Sequence, residues 1–155
     1  MKTYFYTEAG TAKAVDGVDF YIKKGEVLGV VGESGSGKSV TALSLLRLIP
    51  DPPGKIIAGE VHFQGKDLLQ QPLTDMYRIR GSEIAMIFQE PMTSLNPVFT
   101  IGMQVKEIIS HHGHVPSGEV ENHAIKVLEQ VGIADAGKRL NDYPHQFSGG
   151  MRQRV

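Results

Sequence analysis

Between Val18 and Ile22 apolar and polar positions alternate: Val18, Phe20 and Ile22 fall on one face and Asp19 and Tyr21 on the other, as in an antiparallel strand. Lys23-Lys24-Gly25-Glu26 then makes a tight turn into Val27-Leu28-Gly29-Val30-Val31, an unbroken run that predicts a strand buried on both faces. From about Lys38 to Leu48 the chain is apolar nearly all round, which predicts a helix buried between layers, and Pro50, Pro52, Pro53 and Gly54 stop it. Val61 and Phe63 share a face of a second hairpin closed at Gly65, Thr74 to Arg80 reads as a short helix, and Ile84 to Phe88 is another buried-strand run. Beyond it the period lengthens. Ile101, Val105, Ile108 and Ile109 fall at i, i+4, i+7 and i+8, and Val120, Ala124, Val127, Leu128 and Val131 repeat that spacing between Pro116-Ser117 and Gly132. These are two amphipathic helices, so the pattern as a whole predicts an α/β fold: antiparallel strands first, a core of buried strand and helix next, a helical region last.

The 155 residues suffice for one domain with a core, and 41% hydrophobic with 21% charged residues is a globular composition. A formal net charge of -1 supplies no basic field, so neither nucleic acid nor an anionic membrane is an expected direct partner. The chain has no cysteine, which excludes disulfides and thiolate metal sites and fits a reducing compartment. Met1 to Glu8 lacks the apolar core of a signal peptide, and no run approaches the roughly 18 apolar residues of a membrane span. A cytoplasmic chain without direct membrane insertion is expected.

Chemistry enters at Gly32-Glu33-Ser34-Gly35-Ser36-Gly37-Lys38-Ser39, which matches G-x-x-x-x-G-K-[ST] between a buried strand and a helix. Glycines let the backbone curl with its N–H groups inward, making an anion-binding nest at a helix N-terminus. Lys38 then supplies a point charge for the β- and γ-phosphates, and Ser39 a hydroxyl for Mg²⁺. A glycine-serine linker matching by chance has a frequency of roughly half a percent in chains of this size, and a linker has no reason to sit between strand and helix.

Such enzymes also need an apolar strand ending in an Asp that holds Mg²⁺. Ile84 to Phe88 followed by Gln89-Glu90 has that outline, but the Asp position is Gln89, an amide able to bind Mg²⁺ or orient a water without carrying charge; it is rejected as the metal carboxylate. Tyr4, Phe5 and Tyr6 offer an aromatic face for a purine or for packing. His111, His112 and His114 read as solvated groups at a helix end rather than as metal ligands, because no fixed carboxylate or cysteine accompanies them. At the far end stands Phe147-Ser148-Gly149-Gly150-Met151-Arg152-Gln153-Arg154-Val155, where Ser148 is at least an N-cap. Arg152 and Arg154 lie in a first helical turn, which the dipole disfavours for cations unless an anion or acidic partner is near.

Gly32 to Ser39, Gln89 and Phe147 to Met151, in that order and at those separations, resemble the Walker A loop, Q-loop and signature motif of the nucleotide-binding domain of ATP-binding cassette (ABC) transporters. The wording of Val31 to Ser39, of Ile87-Phe88-Gln89-Glu90-Pro91-Met92-Thr93-Ser94-Leu95-Asn96-Pro97 and of Tyr143-Pro144-His145-Gln146-Phe147 through Val155 is similar to the ATPase subunits of dipeptide and oligopeptide importers, and nickel importers read alike. The resemblance covers the whole chain. It implies an ABC-type P-loop core with an N-terminal antiparallel β subdomain to about residue 90, then a helical subdomain over about 91–150. It implies ATP and Mg²⁺ as cofactors and Gln89 as the sensor of Mg²⁺ and γ-phosphate. Ser148, Gly149 and Gly150 would touch ATP held by a second ATP-binding subunit in a head-to-tail dimer, homo- or heteromeric, with permease subunits as further partners. The place so implied is peripheral, at the cytoplasmic face of the membrane.

Two departures follow. The adenine-stacking aromatic falls by ungapped count at Glu8 or Ala9, which leaves Tyr6 as the nearest candidate, and the family's catalytic Asp-Glu pair, D-loop and switch histidine lie beyond Val155. The chain reads as the first half of such a subunit, a poor ATPase alone. The alternatives are an ATP-binding fragment without hydrolysis and a DNA-repair ABC ATPase, although the latter's usual coiled-coil or zinc insertions have no counterpart here.

Overall fold

A computed structural model describes residues 1–89, 94–112 and 115–155, in two compact units, Met1–Tyr77 and Arg78–Val155. Glu90 to Thr93 and His114, parts of two sequence readings above, lie outside the described residues.

In the first unit, β1 (Lys2–Thr7) and β2 (Gly10–Asp16) form an antiparallel hairpin, and β3 (Gly54–Ala58) adds to the other edge of β1, giving the order β2-β1-β3. The Tyr4–Tyr6 run lies in the central strand: the Tyr4 hydroxyl donates to Asp16 Oδ1 at 2.9 Å, and Phe5 lies against Gly54, where an added Cβ would be 2.8 Å from its ring. The helix α1 (Lys38–Leu45) runs past β1 and β2. Val15, Leu46, Leu68 and Met76 are buried in this unit. The second hairpin forms as read, β4 (His62–Phe63) against β5 (Lys66–Asp67), with Gln64 at φ 49° and Gly65 at φ 79°, the left-handed pair of a type I′ turn whose twist suits a two-residue hairpin. The short helix α2 spans Leu73–Ile79 and crosses the boundary between the units.

Three expected strands are not formed among the described residues. Val18–Ile22, Val27–Val31 and Ile84–Phe88 join no ladder; Val27 is 96% exposed and Val31 94%. An interior strand satisfies its backbone only through neighbours on both edges, and no described segment supplies them. The turn between the first two forms regardless because it is local: the Glu26 amide donates to the Lys23 carbonyl at 3.0 Å and the Lys23 amide to Glu26 Oε2 at 2.7 Å. The helix α1 also departs from the pattern, since its one fully buried residue is Ser44 and its apolar side chains are half-buried.

The second unit is helical: α3 (Ile101–His112), α4 (Val120–Gln130), α5 (Ala136–Arg139) and α6 (Gly149–Arg154). Its core is Ile101, Ala124, Leu128, Ile133, Ala136, Leu140 and Phe147, with Val105, Ile109 and Met151 packed on it. The 3.6-residue pattern located the share of this core on α3 and α4, Ile101, Ala124 and Leu128, while Ile108 is 61% exposed and Ile133, Ala136, Leu140 and Phe147 lay outside the pattern. Gly132 ends α4 as read, at φ 76°; its amide donates to the Glu129 carbonyl at 2.8 Å and the Ile133 amide to the Leu128 carbonyl at 2.9 Å, a Schellman closure.

Candidate phosphate-binding loop and signature turn

Gly32 to Gly37 turn back on themselves ahead of α1. The Ser36 amide donates to the Glu33 carbonyl at 3.2 Å, and Gly35 and Gly37 sit at φ 80° and φ 90°, conformations costly for any side-chain-bearing residue. Gly37 is doubly constrained, because a Cβ there would run into the Ala14 carbonyl of β2. At Gly32 a Cβ would stand 2.6 Å from Ser36 Oγ, so the loop closes only around a bare backbone. Gly37 is also the N-cap of α1, and no side chain caps that helix or places a carboxylate in its first turn. Its leading N–H groups and the positive end of its dipole are thus left for something else.

Lys38 bends over the loop. Its ammonium donates to the carbonyls of Gly32 at 2.7 Å and Glu33 at 2.8 Å and to Ser36 Oγ at 3.3 Å, while Ser39 is exposed beside it. Glu33, Ser34, Gly35 and Ser36 are exposed as well, so the nest opens to solvent. A cation, a glycine-lined curl and an uncapped helix N-terminus together fit a phosphate group: Lys38 supplies the charge and the backbone the donors.

The remaining site residues belong to the second unit. Gln89 is exposed. Ser148 is the N-cap of α6, as expected, and its Oγ accepts from the Met151 amide at 3.3 Å. A Cβ built at Gly149 or at Gly150 meets nothing within 4 Å, and neither has a positive φ, so nothing among the described residues demands glycine at either position. The expectation that Arg154 needs an outside anion is corrected: its Nη1 donates to the carbonyls of Val131 at 3.1 Å and Gly132 at 2.8 Å, and its Nε to the Gly150 carbonyl at 3.2 Å. A cation is at home there because those carbonyls end α4. Sequence reasoning missed this pairing; the signal was Gly132 itself, a helix stop with carbonyls to satisfy. It missed Gln104 as well, which braces the segment before α3 by accepting from the Asn96 amide at 2.8 Å and donating to the Asn96 and Phe99 carbonyls. His111 and His112 end α3, His112 lies against Gly81, and no cluster of metal-ligating side chains occurs among the described residues.

A glycine loop closed by its own lysine at an uncapped helix start defines a P-loop nucleotide-binding chain. Residues 15–155 match the family model described as ABC transporter, and the chain belongs to that family. It is 53% identical over all 155 residues to a probable peptide ABC transporter ATP-binding protein of Sinorhizobium fredii, covering 46% of it, and 46% identical to the dipeptide transport ATP-binding protein of Escherichia coli, covering 47%. An oligopeptide transport ATP-binding protein of Bacillus subtilis is 49% identical. The chain thus spans about half the length of the curated relatives it matches. Among solved structures, the ATP-binding cassette MJ0796, a dimer in a post-hydrolysis state bound to ADP and Pi, superposes with a TM-score of 0.79 at 25% identity, over 99% of this chain and 63% of that one. The fold is accordingly that of ABC ATPase cassettes, and the family implies nucleotide binding. No described helix is long and apolar enough to cross a membrane.

Proposed function

We propose that the chain is the ATP-binding, energy-coupling part of an ABC importer for di- or oligopeptides, acting at the cytoplasmic face of the membrane. The observation that carries this reading is the Lys38 ammonium folded over a glycine loop at the uncapped start of α1. Gly32 to Ser39 would hold the nucleotide phosphates and the Ser39 hydroxyl would bind Mg²⁺, which neutralises charge on the phosphate oxygens when bound; for Gln89 the role of Mg²⁺ ligand and sensor is carried by the family resemblance alone. The relatives named for peptide transport support the substrate class, and the DNA-repair alternative gains no comparable support. A second ATP-binding subunit is the proposed nucleotide partner of Ser148, Gly149 and Gly150, in keeping with glycines whose Cβ positions face open space among the described residues; permease subunits are the proposed membrane partners.

Lys38→Ala removes the ammonium that bends over the loop and should weaken Mg-ATP binding by about tenfold or more. Titration with a fluorescent ATP analogue reads this directly, and equal affinity for parent and variant would refute it. Gly149→Asp, by contrast, should leave that affinity unchanged while abolishing ATP-dependent pairing with a full-length ATP-binding subunit. Loss of nucleotide binding by the chain itself would show that the turn does not act on a partner.

A further inference from the structure

We infer that Arg154 is the positioning residue that holds the Ser148–Gly150 turn in place by tying it to the carbonyl end of α4. The helix α6 has six residues, too short to hold its own first turn by helix propensity, and a Cβ added to either of its leading glycines would meet nothing within 4 Å. Phe147 in the core and Met151 packed on it anchor the two sides of the turn, and one guanidinium ties the turn itself to the end of α4. Nε donates to the Gly150 carbonyl at 3.2 Å, while Nη1 donates to the carbonyls of Val131 and Gly132 at 3.1 and 2.8 Å, so the fork bridges α6 to Gly132, 22 residues before Arg154 in sequence. Gly132 is shaped to receive it: φ is 76°, and a Cβ would lie 2.7 Å from Nη1. A guanidinium presents its donors in a fixed plane, so its hold on α4 also sets the direction of the Gly150 carbonyl. A lysine has one compact head and can serve either end but not both.

The inference rests on the reading of Ser148–Gly150 as the surface that meets a second subunit's nucleotide, and the test separates the two. Amide hydrogen exchange is measured in the whole chain and in Arg154→Met and Arg154→Lys. The Met151 and Arg152 amides, held by Ser148 Oγ and by the Ser148 carbonyl, are the reporters, and those of Ala124 and Leu128 in α4 the reference. In Arg154→Met the reporters should exchange about tenfold faster with the reference unchanged, and Arg154→Lys should fall between parent and Met variant. Reporter rates equal to the parent's, or a reference that accelerates by the same factor, would overturn the positioning role. In parallel, ATP-dependent pairing with the full-length Sinorhizobium fredii relative should weaken in the same order, Met more than Lys, while affinity for a fluorescent ATP analogue stays within twofold. If the parent chain fails to pair at all while the reporters respond, the partner-facing reading falls and the role of Arg154 stands.

Discussion

Asp16 gathers more charge than its place at the end of β2 suggests. Lys2 Nζ lies 2.9 Å and Lys13 Nζ 3.8 Å from its carboxylate, and the Tyr4 hydroxyl donates to it. The hydrogen bond from Lys2, followed by that from Tyr4, holds the Asp16 carboxyl below its ordinary pKa, and the same bond raises the Lys2 ammonium above its own. A lowered carboxyl contributes stability that is present above its unfolded pKa and is lost as pH falls through the folded value; a raised amine contributes below its unfolded pKa and loses it as pH rises through the folded one. Both contributions are therefore present near neutrality and fade at the two extremes. Because the group is solvent-exposed the effect is small, and thermal melting against pH should show Asp16→Asn flattening the acid limb of the curve. At this scale the phosphate loop was legible, since a lysine after patterned glycines has few other uses, whereas the Asp16 cluster was not. Cross-strand partners depend on register, and the register of β1 against β2 shifts between Thr3 and Tyr4.

Among the elements, α1 gives the clearest divergence between pattern and packing. Its apolar residues suggested a helix buried by Val, Leu and Ala, yet the buried position is Ser44, whose hydroxyl donates to the Val40 carbonyl at 2.6 Å and lies 2.8 Å from Thr3 Oγ1 in β1. With the Ser44 proton committed to Val40, Thr3 must be the donor in the pair. Ser44→Ala leaves a buried Thr3 hydroxyl without this acceptor and should cost about 1–3 kcal/mol; Thr3→Val combined with Ser44→Ala should recover part of that, because neither polar group then remains. Urea unfolding of the single and double variants reads both effects. A serine in an apolar run looks like a neutral helix position in sequence, and only the opposing Thr3 reveals it as a fixed contact. The helices α3 and α4 were legible because each buries one stripe against the other, so period alone located their share of the core, though not Ile133, Ala136, Leu140 or Phe147.

For the whole molecule the decisive feature is the exposure of segments written as interior strands. Val27, Val31 and Ile87 are 96%, 94% and 91% exposed, and their backbones join no described ladder. Unpaired apolar segments offer both hydrogen bonds and surface to another chain. The 155 residues should consequently associate with rising concentration in sedimentation velocity. Val31→Lys with Ile87→Lys should reduce that association and leave the thermal midpoint within a few degrees, as neither side chain is buried; association undiminished by these charges would place the contact elsewhere. The apolar runs were read as buried strands and are neither strands nor buried among the described residues, since a buried strand depends on neighbours that its own residues do not encode.

The posture of Lys38 sets the terms on which any anion enters. Three oxygens already surround its ammonium, at 2.7, 2.8 and 3.3 Å. An arriving ligand does not fill a void but outbids a set of neutral acceptors, so it is rewarded only for the difference between charged and uncharged oxygen, plus whatever further N–H groups of the loop it can reach. A small anion that reaches only the lysine gains little from this exchange. A chain of phosphates long enough to span the curl from Gly32 to Ser39 gains at every amide, and the loop thereby ranks its visitors by length before any base is read.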